Sequence, residues 1–328
     1  MKKLLSAGLC LSMFLLAGCQ GQPQDTTLTI TDQAGREVTF EEPCQTAASG
    51  YYITTTIMIG LQQQDKLTGI EMKPETRPIY AKAAEEILDL PQLGNKKMFN
   101  VEECAKSDPD VVFLPVSLES YVEELETLDI PVVLLEPETA DDFEEAVEII
   151  GKVMGCEDKV DEYKQYEEDL LEKYVLDEVE EEPTVYFAGS DLLTCATDDM
   201  YQGEILSYAQ ADNAIDAEGS SWVNIDIETL LAANPDYVFI EAGSLSADDF
   251  KNDARVQELQ AVQNDHVYVF PSTLETWDTP SLSSCLGKLW AASILHPELV
   301  SMDDVEAEAV AFYEQFYGFT PEAQDLAL

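Results

Sequence analysis

The side chains best suited to hold a small molecule are aromatic, and they fall in loops at the ends of predicted strands or the starts of predicted helices. The candidates are Tyr51, Tyr52, Tyr201, Trp222 and Trp277. A single aromatic side chain in a loop more often anchors packing than binds a ligand. Trp222 and Trp277, however, both lie in polar stretches, which favours an aromatic ligand wall. Trp290 lies among apolar residues at helical spacing and is interpreted as core.

Arginine is rare in this chain, and its three positions are Arg36, Arg77 and Arg255. Arg77 follows Lys73-Pro74-Glu75-Thr76, an irregular loop of the first half. A guanidinium there could pair with an anionic group of a ligand, because its planar donors match carboxylate-like oxygens. It could equally hold the loop to nearby acids, and the sequence leaves both interpretations open.

The chain lacks the usual signatures of catalysis. His266 precedes a predicted strand and His296 ends a predicted helix, and both positions have structural explanations. No G-x-S-x-G, G-x-G-x-x-G or Walker sequence occurs. The prediction is a protein that is not an enzyme, has no cofactor and has no catalytic residues. Two distant histidines also argue against a site for a bare transition metal.

The charge is strongly negative, with 66 acidic and 17 basic residues giving a formal net charge of −49. Nucleic acid would be repelled by such a surface, so a nucleic-acid partner is excluded. The acids are spread along the whole chain, which favours a solvated surface over a dedicated cation site.

The first residues form a segment of their own. Lys2 and Lys3 precede the apolar run 4–17, which is typical of a secretory signal and is short for a membrane span. Leu16-Ala17-Gly18-Cys19 resembles the bacterial lipobox, which predicts a signal peptide at 1–18, a lipid on Cys19 and a tether at 19–26. The protein would then be extracytoplasmic and anchored to the cell membrane. An ordinary cleaved signal is the alternative.

Five cysteines remain beyond the anchor, with no C-x-x-C and no zinc spacing. They are Cys44, Cys104, Cys156, Cys195 and Cys285. We expect small buried thiols and no disulfide framework, with a single bridge left open.

An internal repeat indicates how these candidates are positioned. Residues 100–114 and 226–240 align without a gap, 126 residues apart. The matched pairs include Glu102 with Glu228, Pro109 with Pro235 and Asp110 with Asp236. Each copy predicts an N-capped short helix, a proline stop and a buried strand. A unit repeated once predicts two similar lobes, with the functional site where they face each other.

Strands and helices alternate through both halves, which predicts an α/β fold with mainly parallel sheets. Between the halves lies an acidic helical stretch, whose second part predicts a helix over 157–179, about 34 Å long. The expected organisation is an N-terminal lobe at 27–155, a linker helix at 156–182 and a C-terminal lobe at 183–328. A long helix between lobes is stiff and permits little closure.

Taken together, these segments resemble the substrate-binding lipoproteins of bacterial ABC importers, in the class that handles iron-siderophores, haem and cobalamin. The resemblance rests on ITDQAGREVTF, DKLTGIEMKPETRPIY, the two Pro-Asp repeats, MYQGEILSYA, SSWVNIDIETLL, AVQNDHVYVFPS and ETWDTPSLSSCLGKLWAASILHPE. It implies two Rossmann-like lobes joined by one long helix and a shallow cleft that changes little on binding. It also implies a monomer that partners an ABC permease and its ATPase, and docking of Glu102 and Glu228 onto permease arginines.

The resemblance implies a metal chelate as ligand but does not identify it. The chain departs from the family at Gln62-Gln63-Gln64 and at Tyr208-Ala209-Gln210-Ala211, where a double glycine is frequent. Scarce arginine disfavours highly anionic catecholate chelates. A hydroxamate-type ferric siderophore or a corrinoid suits an aromatic cleft better, and haem or a small oxyanion such as molybdate stays open. A lipoprotein that senses or adheres and transports nothing is the alternative from another class.

Overall fold

The computed structural model describes residues 27–176, 179, 182–217, 219 and 221–328. The predicted signal peptide, Cys19 and the tether lie outside these residues. Within the described part of the chain, no helix combines the length and apolarity that crossing a membrane requires.

The N-terminal lobe is built on a parallel sheet. Its strands are β1 Leu28–Thr31, β2 Glu37–Phe40, β3 Ala47–Ser49, β4 Leu67–Gly69, β5 Gly94–Asn95, β6 Met98–Phe99, β7 Val111–Pro115 and β8 Val132–Leu135. Four of them form the parallel order β4-β3-β7-β8, and the pairs β1–β2 and β5–β6 are antiparallel. Its helices are α1 Tyr52–Gly60, α2 Pro78–Ala83, α3 Val101–Ser107, α4 Val122–Glu126 and α5 Ala140–Met154.

The C-terminal lobe repeats this plan after the helix α6, Glu157–Lys173. Its strands are β9 Thr184–Ala188, β10 Thr194–Cys195, β11 Asp212–Asn213, β12 Val223–Asn224, β13 Tyr237–Ile240 and β14 Val267–Val269. β9, β11, β13 and β14 pair in parallel, whereas β10 and β12 are antiparallel additions at one side. The helices are α7 Tyr201–Tyr208, α8 Ile227–Ala233, α9 Ala247–Asn252, α10 Gln260–Gln263, α11 Ser284–Leu295, α12 Met302–Phe312 and α13 Ala323–Leu326. The predicted α/β fold with two Rossmann-like lobes is confirmed.

The sequence repeat corresponds to a repeated structural unit. α3 and α8 are each seven residues long, are N-capped by the side chains of Asn100 and Asp226, and end in a left-handed residue. Each is followed by a central strand, and an aspartate after the proline ties that strand to its neighbour. Asp110 Oδ2 accepts the backbone N–H of Thr46 at 2.9 Å, and Asp236 Oδ2 accepts that of Thr184 at 3.0 Å.

The helix between the lobes is shorter than predicted. α6 ends at Lys173 and contains 17 residues, about 25 Å in length, whereas the sequence pattern predicted a helix to residue 179. Its apolar side, including Val160, Tyr163 and Leu170, is buried. Val175, which continued the predicted apolar stripe, is exposed and makes no such contact.

One apolar core is continuous between the lobes. Side chains of α1, α5, α6, α11 and α12 belong to the same buried cluster. Contact is close: a Cβ at Gly60 of α1 would lie 2.2 Å from the Leu282 side chain of the C-terminal lobe. The C-terminal segment also returns to the N-terminal lobe, where Lys82 pairs with Asp325 at 2.9 Å. Wide opening of the lobes would expose this core, which fits the expectation of a stiff molecule.

Candidate ligand-binding cleft

A cleft of about 210 Å³ lies between the lobes, at the carboxyl ends of their parallel strands. The N-terminal lobe contributes Tyr52, Thr56, Thr76, Arg77, Pro78 and Ile79. The C-terminal lobe contributes Gly243, Ser272, Leu274, Glu275, Thr276, Thr279, Pro280 and Ser281. The carboxyl edge of a parallel sheet is the usual place for a ligand, because the loops that follow the strands can vary there without disturbing the core.

Arg77 is the cationic side chain of this cleft. Its guanidinium carbon lies 4.0 Å from the centroid of the Tyr52 ring, so the two groups are stacked. Arg36 and Arg255 both pair with carboxylates. Among the described residues, by contrast, the Arg77 side chain makes no ion pair and no hydrogen bond. In so acidic a chain, this leaves Arg77 available to an anionic group from outside.

Tyr51 and Tyr52 follow β3 and form the aromatic side of the cleft. Their rings meet edge to face with centroids 5.3 Å apart. Tyr52 reaches the cleft, whereas Tyr51 is buried behind it, under the Lys96 ammonium. Burial raises the pKa of both phenols, so both stay neutral at ordinary pH. Tyr51 therefore supports the ring that a ligand would meet.

Glu275 faces the cleft from the C-terminal lobe. Its Oε1 accepts a hydrogen bond from the Tyr317 hydroxyl at 3.2 Å, and its Oε2 is buried without a hydrogen-bond partner among the described residues. Burial raises the pKa of this carboxyl to about 7, although the Ser283 and Tyr317 hydroxyls and the Arg77 charge favour ionisation. Near neutral pH the cleft can therefore offer either a carboxylate or a neutral acid.

Comparison with known proteins shows the family to which this chain belongs. Residues 48–274 match the model of the periplasmic binding protein family. The chain belongs to this family. It is an extracytoplasmic solute-binding protein of the class that serves ABC importers and is not an enzyme, as the sequence predicted.

Its relatives are distant but extend over nearly the whole chain. The molybdate-binding protein MolA of Haemophilus influenzae is 23% identical, with 88% of this chain and 90% of MolA covered. The structure of MolA bound to molybdate matches with a TM-score of 0.76 at 22% identity, over 90% of this chain and 99% of that one.

Two other solved structures show the same fold. A periplasmic solute-binding protein of Veillonella parvula matches with a TM-score of 0.78 at 21% identity, covering 91% and 95% of the two chains. CeuE of Helicobacter pylori, solved as a nickel–histidine complex, matches with a TM-score of 0.71 at 19% identity, covering 91% and 97%. Identities this low establish the fold and leave the ligand of the present protein open.

Trp277 and Tyr201 do not line the cleft of this binding protein, which corrects the prediction for both. Trp277 is 2% exposed, and its indole N–H donates to the Tyr313 hydroxyl at 3.1 Å. Tyr201 is buried, and its hydroxyl donates to Ser284 Oγ at 2.5 Å. Both rings are core, and their polar neighbours Gln202 and Asp278 are buried with them, joined by a hydrogen bond from Gln202 Nε2 to the Asp278 carbonyl.

Trp222 lies at the same edge of the molecule but outside the cleft lining. It is half-buried and covers Gly189, the residue after β9, where a Cβ would be 2.5 Å from the indole. Its ring centroid is 6.4 Å from that of Phe187. A ligand larger than the cleft could reach it, whereas a compact one would not.

The hydroxyl groups of the cleft were not anticipated. Ser272, Thr276, Thr279 and Ser281 all lie in the segment after β14. This segment, PSTLETWDTPS, is rich in serine, threonine and proline and follows a buried strand. That composition indicates polar side chains at the cleft, whereas the sequence prediction selected Trp277 from this segment as the ligand contact.

Asp278 joins the two loops that form the C-terminal wall. It is 0% exposed, its Oδ2 accepts the Ala242 N–H at 2.9 Å, and its backbone carbonyl accepts from Gln202 Nε2 at 2.8 Å. Its Oδ1 has no hydrogen-bond partner among the described residues. Burial, with a contribution from nearby Glu241, raises the pKa of Asp278 to about 7. The Asp278 hydrogen bonds therefore hold the two loops together, and the free-energy cost of burying its charge depends on pH.

The docking candidates Glu102 and Glu228 are both exposed in the first turns of their helices. Each helix begins at the cleft-side edge of its lobe, because Phe99 contacts Gly50 after β3 and Trp222 contacts Gly189 after β9.

The five predicted buried thiols are all buried and free. Within the described residues, no group of three or more histidine, cysteine or acidic side chains is arranged to hold a metal ion.

Proposed function

We propose that this binding protein captures a metal chelate with anionic oxygen atoms and delivers it to an ABC permease. The observation that carries the proposal is the unpaired Arg77, stacked on Tyr52 in the cleft between the lobes. A guanidinium binds carboxylate or hydroxamate oxygens through parallel N–H donors, and the ring beside it offers an apolar surface. Threonine and serine hydroxyls can donate to further ligand oxygens or accept from ligand N–H groups.

The size of the cleft limits what it can enclose. Its volume of about 210 Å³ is below the 300 to 1,000 Å³ common for sites that enclose a drug-sized ligand. A haem or corrinoid would therefore lie mostly outside it. A ferric hydroxamate could insert one edge beside Arg77 while its remainder reaches toward the rim and Trp222. Since all three chelates exceed the cleft, the preference for a ferric chelate of the hydroxamate type rests on the fit of its oxygen atoms to Arg77.

A molybdate-type oxyanion is the second candidate, supported by the small cleft and by the relative MolA, which binds molybdate. Arg77 and the hydroxyl groups suit such an anion. Glu275 does not, unless it is protonated, because two like charges in a shared cleft repel. Oxyanion affinity should accordingly fall as pH rises through about 7, where Glu275 ionises.

Direct titration of the protein without residues 1–26 tests both candidates. A ferric trihydroxamate, haem, cobalamin and molybdate are each added while heat and tryptophan fluorescence are recorded. Saturable binding of the ferric chelate and not of molybdate supports the first candidate, and the reverse supports the second. No saturable binding of any of the four would count against capture of these ligands and toward a sensing or adhesive lipoprotein.

We also propose that Glu102 and Glu228 dock onto the permease. Exposed apolar side chains accompany each of them: Met98, 57% exposed, and Met72 share a surface hollow with Glu102, and Leu231 follows Glu228 by one turn. Acidic groups beside exposed apolar groups are typical of protein contact sites.

The double change Glu102→Lys and Glu228→Lys should abolish uptake by cells while leaving ligand affinity unchanged. Each glutamate stabilises its helix by only about 0.3 to 1 kcal/mol through the dipole, so the variant should fold. The control is the double change Glu168→Lys and Glu258→Lys, which alters the net charge equally at exposed positions. Normal uptake by the docking variant, or loss of affinity, would reject the docking role.

The lipid anchor on Cys19 is a further proposal, supported by the lipobox sequence and by the extracytoplasmic family. Cys19→Ser should move the protein from the membrane fraction to the soluble extracytoplasmic fraction. Retention in the membrane would reject the anchor.

A further inference from the structure

Two ionisable side chains face the cleft from opposite lobes and do not form an ion pair with each other. Arg77 comes from the N-terminal lobe and Glu275 from the C-terminal lobe. No ion pair within 4.0 Å joins them in the described structure, although the Arg77 charge is near enough to favour ionisation of Glu275. If the cleft were built only for an anion, a carboxyl group in its wall would weaken binding.

The hydrogen bonding of Glu275 indicates what it lacks. Tyr317 occupies one carboxyl oxygen, and the other oxygen is buried with no partner among the described residues. A buried acceptor without a partner costs roughly 1 to 3 kcal/mol, so such groups are usually satisfied by a ligand or a water molecule. The Ser283 hydroxyl lies near enough to favour ionisation of Glu275, but it makes no hydrogen bond to this oxygen, and a donor on the ligand would satisfy it.

We propose that Glu275 determines specificity by accepting a charge-assisted hydrogen bond from a protonated amine of the ligand, while Arg77 holds anionic oxygens of the same molecule. The inference rests on the proposed capture of a chelate and narrows it to chelates that carry a free amine. It also separates this cleft from one built for a simple oxyanion, which offers no cation to Glu275.

The titratable groups near Glu275 determine how binding of an amine should vary with pH. Burial holds the pKa of Tyr313 and Tyr317 well above their usual range, so both phenols stay neutral at ordinary pH. Between pH 6 and 8 the charge of Glu275 changes, and so does that of Asp278, which is buried in the same wall, so a variant of Glu275 is needed to assign the effect. Recognition of an amine should strengthen over that interval as the carboxylate forms.

A matched pair of ferric trihydroxamates tests the proposal. One bears a terminal ammonium group, and the other is the same chelate with that amine acetylated. The wild-type protein should bind the ammonium form about ten- to a hundredfold more tightly at pH 8, as expected for a charge-assisted hydrogen bond. The preference should shrink at pH 6.

Glu275→Gln is the informative variant, because glutamine keeps an oxygen for the Tyr317 hydroxyl and preserves the side-chain shape. It should bind the ammonium form and the acetylated form with equal affinity at both pH values. Glu75→Gln removes an exposed carboxylate from the loop next to Arg77 and serves as the control, in which the preference should persist.

The outcomes separate this inference from the proposed function. Equal binding of both chelates by the wild-type protein overturns the role of Glu275 and leaves chelate capture intact. A preference that survives unchanged in Glu275→Gln also overturns it. Binding of neither chelate overturns the inference together with the proposed function.

Discussion

The buried carboxyl of Asp278 should make the stability of this protein depend on pH in a way that one substitution removes. Asp278 is fully buried, and burial raises its pKa from 3.8 to about 7. Because the folded pKa exceeds the unfolded one, the native state binds more protons between these values. The free energy of unfolding therefore falls as pH rises from about 4 to 7, and the full penalty is present above that interval.

The size of the effect follows from the shift. At about 1.4 kcal/mol per pKa unit, three units correspond to at most about 4 kcal/mol at pH 8. Asp278→Asn cannot ionise, and its amide oxygen can still accept the Ala242 N–H. Its new NH₂ group takes the place of the unpartnered Oδ1, which costs about 1 to 3 kcal/mol. We expect the variant to be more stable than the wild type by about 1 to 3 kcal/mol at pH 8 and to lose that advantage by about pH 5.

Urea unfolding at pH 5, 6, 7 and 8 measures this change. Asp216→Asn, which changes an exposed aspartate in a C-terminal loop, is the control and should follow the wild-type curve at every pH. Parallel curves for Asp278→Asn and the wild type would refute the reasoning, since they would mean that Asp278 is ionised without penalty.

Three further predictions concern the aromatic residues and the junction of the lobes. Trp277→Ala should destabilise the protein by about 3 to 5 kcal/mol, because it removes a fully buried ring, and a normal melting temperature would contradict the core assignment. Trp222→Phe should lower the free energy of unfolding by less than about 1.5 kcal/mol. It should also remove most of the fluorescence change on ligand binding, because Trp222 is the half-buried tryptophan at the rim. A full fluorescence change in this variant would mean that another tryptophan reports binding. The ammonium of Lys288 is buried, 2.5 Å from the Glu204 carboxylate and 3.7 Å from that of Glu167. Lys288→Met should therefore destabilise the protein by about 3 kcal/mol in urea unfolding, and adding Glu167→Gln should restore part of this loss. No recovery in the double variant would show that uncompensated charge is not the cause.

The sequence was sufficient for the architecture because the same physical signals occurred twice. An N-cap, a proline stop and an aspartate before a buried strand recur at 100–114 and 226–240, and the structure uses Asp110 and Asp236 in the same way. Arg77 could also be singled out, because it was one of few arginines and lay in an irregular loop. Its lack of a partner could be seen only in three dimensions.

The side-chain directions in the C-terminal wall could not be predicted. The segment after β14 has no helical or strand period, so nothing in its sequence indicates that Trp277 turns into the core while Glu275 and Thr276 face the cleft. The end of α6 was missed for a related reason. Val175 continues the apolar spacing, but the helix has already ended at Lys173 and that side chain meets solvent.

The most direct test of the central claim is the affinity of Arg77→Met for whichever of the four titrated ligands binds the wild-type protein, measured by calorimetry at pH 7. Arg77 makes no ion pair or side-chain hydrogen bond in the described structure, so the melting temperature should change little. Affinity should fall about ten- to a hundredfold, as expected for a lost charge-assisted contact, and Arg77→Lys should recover only part of it because lysine lacks the planar fork. Unchanged affinity in Arg77→Met would contradict the account, since the ligand would then be held without the one unpaired arginine of the cleft.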